Sequence, residues 1–185
     1  NWKNFFKEAI EKLEKKLGKN HPITCESYSY YAIILKNLGK YKESNEYSIN
    51  SLKILEQNFD ETHIRLLIPI FSYSSSFINE TKEYKNLLKR ALNIIIKYCG
   101  KDHILLSYVY SNLSDYYSFN NNYIKQQKYI EASLDIKNSF YKDKNHIEFS
   151  YDLHSLGYCM INLNNLEKAI EYLEKSLLIK ELFFG

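Results

Sequence analysis

The chain has 185 residues, a formal net charge of +3 and 45% hydrophobic residues, with only two prolines and five glycines. So few turn-formers exclude a many-stranded β fold and favour long helices. The basic charge is almost all lysine, with Arg65 and Arg90 the only arginines, which excludes the concentrated arginine stripe expected of a DNA or RNA binder.

The hydrophobic pattern predicts nine helices in chain order, at about 1–17, 21–38, 41–58, 63–79, 81–98, 103–119, 122–141, 146–162 and 165–183. In alternate helices a small-then-aliphatic pair recurs as Ala9-Ile10, Ser51-Leu52, Ala91-Leu92, Ser133-Leu134 and Ser176-Leu177, at steps of 42, 40, 42 and 43 residues. Phe5, Tyr47, Leu87, Tyr129 and Tyr172 stand one helical turn earlier on the same face. The intervening helices carry a second small column, Ala32, Ser74, Ser114 and Gly157. Tyr28, Ile70, Tyr110 and Leu153 precede it by four residues, and Leu35, Phe77, Tyr117 and Met160 follow it by three. A small residue flanked by large ones lets a neighbouring helix approach closely while its neighbours fill the surrounding space. Pro69 falls inside the helix at 63–79 and should kink it or delay its start, the kink being the simpler outcome.

Asn20, Thr62, Asp102 and Asn145 each precede a histidine, His21, His63, His103 or His146, and all four are of N-capping type. Gly18, Gly100 and Gly185 suit the left-handed residue that closes a helix, a column that Asp60 and Lys142 fill less comfortably. The tighter turn within each pair uses Gly39, Asn121 and Asn164, residues tolerant of positive φ. In the second unit this turn is shortened, between Phe77 and Tyr84.

The large-x-x-large-small-x-x-large column, with Ala169 and Leu173 in the companion helix, resembles the tetratricopeptide (TPR) signature. The period of about 42, with Leu17-Gly18-Lys19-Asn20-His21-Pro22 between units and Gly39-Lys40-Tyr41 within one, resembles the kinesin-light-chain variety. The resemblance covers the whole chain and implies an all-α fold, a right-handed superhelix of about four and a half repeats. One array is expected over 1–185, with a partial repeat at 1–20 and full repeats at 21–62, 63–102, 103–145 and 146–185. It is expected to be a segment of a longer protein.

In such repeats the first helix of each pair lines a concave groove, as the resemblance implies. Carried over by position, the groove columns are Ser29, Phe71, Ser111 and His154, with Ile33, Ser75, Asp115 and Tyr158 one turn on. Asn112 matches one position of the asparagine pair by which kinesin light chains hold peptide backbone, and Lys36 is the one clear basic groove candidate. Such a lining suits an extended or helical peptide held by hydrogen bonds and stacking.

The expected function is therefore that of a protein-interaction scaffold. The alternatives are a self-associating or spacer module, and more remotely a helical-repeat RNA binder. Leu182, Phe183 and Phe184 give the last helix an apolar end through which copies could associate. No phosphate loop, zinc motif or nucleophile elbow occurs, so no enzyme and no cofactor is expected. The four loop histidines lie a full repeat apart, too far to share a metal. Asn79-Glu80-Thr81 and Asn112-Leu113-Ser114 match the glycosylation pattern only as an Asn- and Ser-rich chain would by chance. Cys25, Cys99 and Cys159 follow no disulfide or metal spacing. No apolar run would span a bilayer and no leader opens the chain. The expected location is the cytoplasm, with no membrane and no nucleic-acid partner.

Overall fold

The computed structural model describes residues 2–74 and 82–185. Its helices are α1 (Trp2–Leu17), α2 (Pro22–Asn37), α3 (Tyr41–Asn58), α4 (Leu67–Ser74, preceded by a 3₁₀ turn at Ile64–Leu66), α5 (Lys82–Cys99), α6 (Leu105–Phe119), α7 (Tyr123–Phe140), α8 (Glu148–Asn162) and α9 (Leu166–Phe184). Among the described residues there is no strand, and no helix is long and apolar enough to cross a membrane.

The helices fall into two compact units. In the first, α2 packs against α1, α3 and α4, and α3 also against α4. Residues Asn86–Ile94 of α5 belong with it, burying Leu87, Leu88, Ala91 and Ile94. In the second, α6 packs on α7, α7 on α8 and α8 on α9, around a core that includes Ile130, Leu156, Cys159, Met160 and Ala169.

Apart from Ala9, which is partly buried, both small columns are buried where helices pair: Ala32, Ser74, Ser114 and Gly157 in one, Ser51, Ala91, Ser133 and Ser176 in the other. The serines of the second column do more than save space. Ser51 and Ser176 each direct a hydroxyl to the main-chain carbonyl of the residue 26 positions earlier, Cys25 and Ser150, at 2.5 and 2.7 Å, and the Ser133 hydroxyl stands 3.1 Å from the equivalent Ser107 carbonyl while sharing its one proton with Asp152 of α8 at 2.5 Å. Each carbonyl contact ties the second helix of a pair to the first, and each hydroxyl is satisfied in a dry interface.

The loops depart from expectation in one atom. The group that caps each first helix is the histidine ring, where the residue before it was expected. His21, His63, His103 and His146 accept through Nδ1 from the amides of Ile23, Arg65, Leu105 and Glu148 at 3.2–3.3 Å. An imidazole Nδ1 that accepts must be unprotonated, so the ring proton of the neutral side chain sits on Nε2. The left-handed closing residue is found at Gly18, Gly100 and Gly185 (φ 89°, 90° and 86°), whereas neither Asp60 nor Lys142, expected to continue that column, has a positive φ. Asp143, in place of Lys142, matches Asp60: the two carboxylates accept from the amides of Asn145 and Thr62 at 2.8 and 2.9 Å. In those two linkers the preceding helix ends in an extended aromatic residue. Phe59 stacks on His63 at 4.3 Å and Tyr141 on His146 at 4.0 Å, so the capping ring is held by its neighbour.

The turns inside the pairs are as expected, with φ of 75° at Gly39, 54° at Asn121 and 58° at Asn164. Asn122 and Asn165 then cap α7 and α9 through their side chains. Pro69 delays its helix instead of kinking it. The 3₁₀ turn comes first, and Pro69 sits in the opening turn of α4, where its missing N–H has no intrahelical acceptor to lose. Phe77 and the shortened turn lie outside the described residues.

Gly157 marks the closest approach of α8 and α9. A Cβ there would stand 2.6 Å from Leu173 Cγ and 3.3 Å from the Ala169 carbonyl oxygen. Overpacking of about 1–3 kcal/mol should outweigh the roughly 1 kcal/mol that alanine gains in helix propensity. Gly157→Ala is therefore expected to lower the urea midpoint, and Gly157→Val to lower it further. Unchanged midpoints in both would show that the pair does not need this spacing.

Candidate functional site

In the first unit, the expected site residues separate into buried and accessible ones. Ser29 is fully buried, its hydroxyl 2.7 Å from that of Ser51, which in turn donates to the Cys25 carbonyl. Its proton is spent inside the α2–α3 contact. Ile33, one turn on, is exposed, Lys36 is partly exposed and Phe71 is partly buried. Ser75 lies outside the described residues.

In the second unit, α6, α7 and α8 enclose a polar cluster. Asp152 of α8 is 1% exposed and Lys137 of α7 is 6% exposed by side chain at most, with Nζ 2.8 Å from Asp152 Oδ2. The Asp152 carboxylate also accepts from Ser111 at 2.7 Å and Ser133 at 2.5 Å. Lys137 donates in addition to the Glu148 carbonyl at 2.8 Å. Ser111, expected to face a partner, is thus buried in the same way as Ser29. A buried ion pair is tolerable because each member has further hydrogen bonds.

A cavity of about 310 Å³ opens over this pair, lined by Tyr108, Ser111, Asn112 and Asp115 of α6, Lys137 of α7, and Glu148 and Tyr151 of α8, among others. Tyr151 donates its hydroxyl to Asp115 Oδ2 at 2.5 Å. Asn112 accepts from the Tyr84 hydroxyl at 2.9 Å and donates to the Tyr108 carbonyl at 2.7 Å, so its amide is oriented from both ends. Burial raises the Asp115 carboxyl above the usual carboxylate range, the Tyr151 bond opposing this and nearby Asp152 adding to it. Burial, with the hydrogen bond to Asp115 and its charge, pushes the Tyr151 phenol up. His154 and Tyr158 of α8 are exposed. The structure therefore brings together Ser111, Asn112 and Asp115 at one cavity, while His154 and Tyr158 are not among its lining residues. Among the described residues no group of three or more His, Cys, Asp or Glu side chains is arranged to hold a metal.

Lys137, Asp152, Glu148 and Tyr151 went unnoticed as site residues in the sequence, yet a signal existed for two of them. Lys137 stands four residues after the small position, where the earlier repeats have Leu13, Leu55 and Ile95. Asp152 stands five before the other small position, where earlier repeats have Ser27, Pro69 and Val109. Opposite charges break two largely apolar columns in the same repeat pair.

Residues 153–181, most of α8 and α9, match the family profile described as tetratricopeptide repeat. BtubC (BKLC) from P. vanneervenii superposes on 98% of this chain and 73% of its own, with a TM-score of 0.83 at 19% identity. The fold is tetratricopeptide-like. A P. anserina protein described as a kinesin light chain with nearly identical TPR-like repeats covers 98% of this chain and 87% of its own, with a TM-score of 0.74 at 17% identity. The MamA protein covers 97% and 85%, with a TM-score of 0.64 at 19% identity. No curated protein matches the chain. On this tetratricopeptide scaffold the Lys137–Asp152 pair is a local departure, set between the small columns that define the repeat.

Lys137→Met should leave Asp152 buried without its cation and cost about 3–5 kcal/mol. The double change Lys137→Leu with Asp152→Val restores the apolar columns, and Ser111 and Ser133 can still donate to the Ser107 carbonyl. It should recover most of the loss. Urea unfolding of the three proteins checks this, and a double variant no better than the single would contradict the account.

Proposed function

We propose that the chain is a protein-interaction module that takes a segment of a partner on the faces of its first helices. The tetratricopeptide fold is generally a protein–protein interaction module, which supports the class of function. The observation that carries the reading here is the cavity over α6 and α8, where an oriented amide, a carboxylate and two tyrosine rings meet solvent. Tyr108 and Tyr151 are 47% and 51% exposed, and half-exposed tyrosines flanking polar groups are typical anchors of interfaces. Ile33 of α2 and His154 and Tyr158 of α8 extend the accessible surface on their own helices. Ser29 and Ser111 serve this function by fixing the helix pairs that present it.

Affinity purification with the chain as bait, compared with His154→Glu combined with Tyr158→Ala, tests the assignment. Both side chains are exposed, so helicity should be unchanged, while loss of an anchoring tyrosine should weaken partner capture by about 30-fold, the equivalent of about 2 kcal/mol. Undiminished capture would show that α8 does not contact the partner.

A second reading is supported by α9. Leu166, Ile170, Leu177, Leu178, Leu182 and Phe183 are each more than half exposed, more apolar surface than one helix of a monomer usually shows to water. Copies of the chain would pair through this helix. Sedimentation should then show a dimer that dissociates on dilution, and a strictly monomeric species at high concentration would count against it.

A further inference from the structure

We propose that the cavity between α6 and α8 receives a basic side chain, a guanidinium by preference, from the partner polypeptide; the inference rests on the interaction reading above and names the chemistry of that contact.

Charge bookkeeping within the cavity gives the sign. Four charged residues line it or lie beneath it. The Lys137 ammonium is consumed by Asp152, which is buried under the floor. The remaining two, Asp115 and Glu148, are carboxylates. Asp115 has one hydrogen bond, from a neutral phenol, and Glu148 has no ion pair among the described residues. Among the described residues, Asp115 thus presents a carboxylate without an ion-pair partner at the cavity, and Glu148, an exposed acid among the lining residues, adds the same sign in a site whose own cation is already spent.

The shape and the rings narrow the class of cation. The opening is flanked by Tyr108 from α6 and Tyr151 from α8, both about half exposed. A tyrosine face attracts a cation, and a planar guanidinium can stack on a ring while its edge donates to a carboxylate. A volume of about 310 Å³ accommodates one side chain and not a folded element. A bare ammonium would meet the charge but not the stacking surface. An acidic peptide would meet two like charges.

The raised position of Asp115 agrees with this arrangement. A carboxyl held above its usual range binds protons more readily folded than unfolded, so stability falls as pH rises through that window. A bound cation would offset this cost. Asp115→Asn keeps an acceptor for Tyr151 and removes the charge, so its thermal midpoint at neutral pH should equal or exceed that of the unchanged protein.

The probes are acetyl-Gly-Arg-Gly-amide, its lysine counterpart and its citrulline counterpart, the last a neutral match to arginine in shape. They are titrated at low salt into the ¹⁵N-labelled chain, following the amides of Asn112, Asp115 and Tyr151. The arginine peptide should give saturable shifts there, at least ten-fold tighter than citrulline, with lysine between them. Asp115→Asn with Glu148→Gln should weaken the arginine peptide at least ten-fold with an unchanged circular dichroism spectrum. Equal response to citrulline, shifts located elsewhere, or indifference to the double variant would overturn the inference. If the arginine peptide fails while capture is lost in the His154 and Tyr158 variant, the pocket assignment falls and the interaction reading stands. If the peptide binds and capture survives that variant, the pocket assignment stands and only the placing of His154 and Tyr158 at the partner contact falls.

Discussion

The structure depends on close approach of paired helices at positions too small to hold them apart. Ala32, Ser114 and Gly157 on the first helices, and Ser51, Ser133 and Ser176 on the second, are all buried at these contacts. Steric room alone would let a pair slide. The serine hydroxyls that reach the carbonyls of Cys25 and Ser150 set the register, because each bond forms at only one relative position of the two helices. Ala91, in the same column, has no hydroxyl to give, and α5 is held instead by buried Leu88 and Ile94.

Once the pairs are fixed, polar groups can be placed between them at known positions, and Lys137 with Asp152 is the clearest case. A leucine and a valine at those sites would satisfy the packing with less desolvation. What the ion pair supplies is a fixed field beneath the α6–α8 cavity. Asp152 holds the ammonium down by a 2.8 Å contact, and its charge adds to the forces that keep the Asp115 carboxyl above its usual range. A carboxyl displaced in this way beside a cavity is a candidate contact group.

Much of this architecture could be read from the chain. The small columns, the helix order and the positive φ of Asn121 and Asn164 follow from sterics local to a few residues, and such constraints leave a mark at a fixed period. The capping histidines were legible as a column but not as caps. Asn, Thr and Asp stand beside them with stronger capping preference, and only the loop geometry decides that the ring, two residues before the amide it serves, lies closer. The last linker carries one extra residue, so the counterpart of Asp60, three positions before the histidine, is Asp143 and not Lys142; both serve as carboxylate acceptors, and neither takes the left-handed conformation that glycine supplies in the other linkers. Ser29 and Ser111 look like groove residues because they are polar on a groove-facing column. Their burial has a signature that reading one column at a time misses: each is followed 22 positions later by a serine, Ser51 or Ser133, that shares its hydrogen bond.

The same logic explains why the site is concentrated in one repeat pair. Where Ser29 meets Ser51, the position four residues beyond is Leu55, fully buried, and the interface closes. Where Ser111 meets Ser133, that position is Lys137, whose long side chain carries charge to the edge of the contact and requires Asp152 to receive it. Receiving it exhausts the cation, so Asp115 and Glu148, both among the residues lining the opening, have no ion-pair partner among the described residues. A substitution that serves the interior thereby sets the sign of the surface, and a repeat fold acquires a selective position without any change in its backbone.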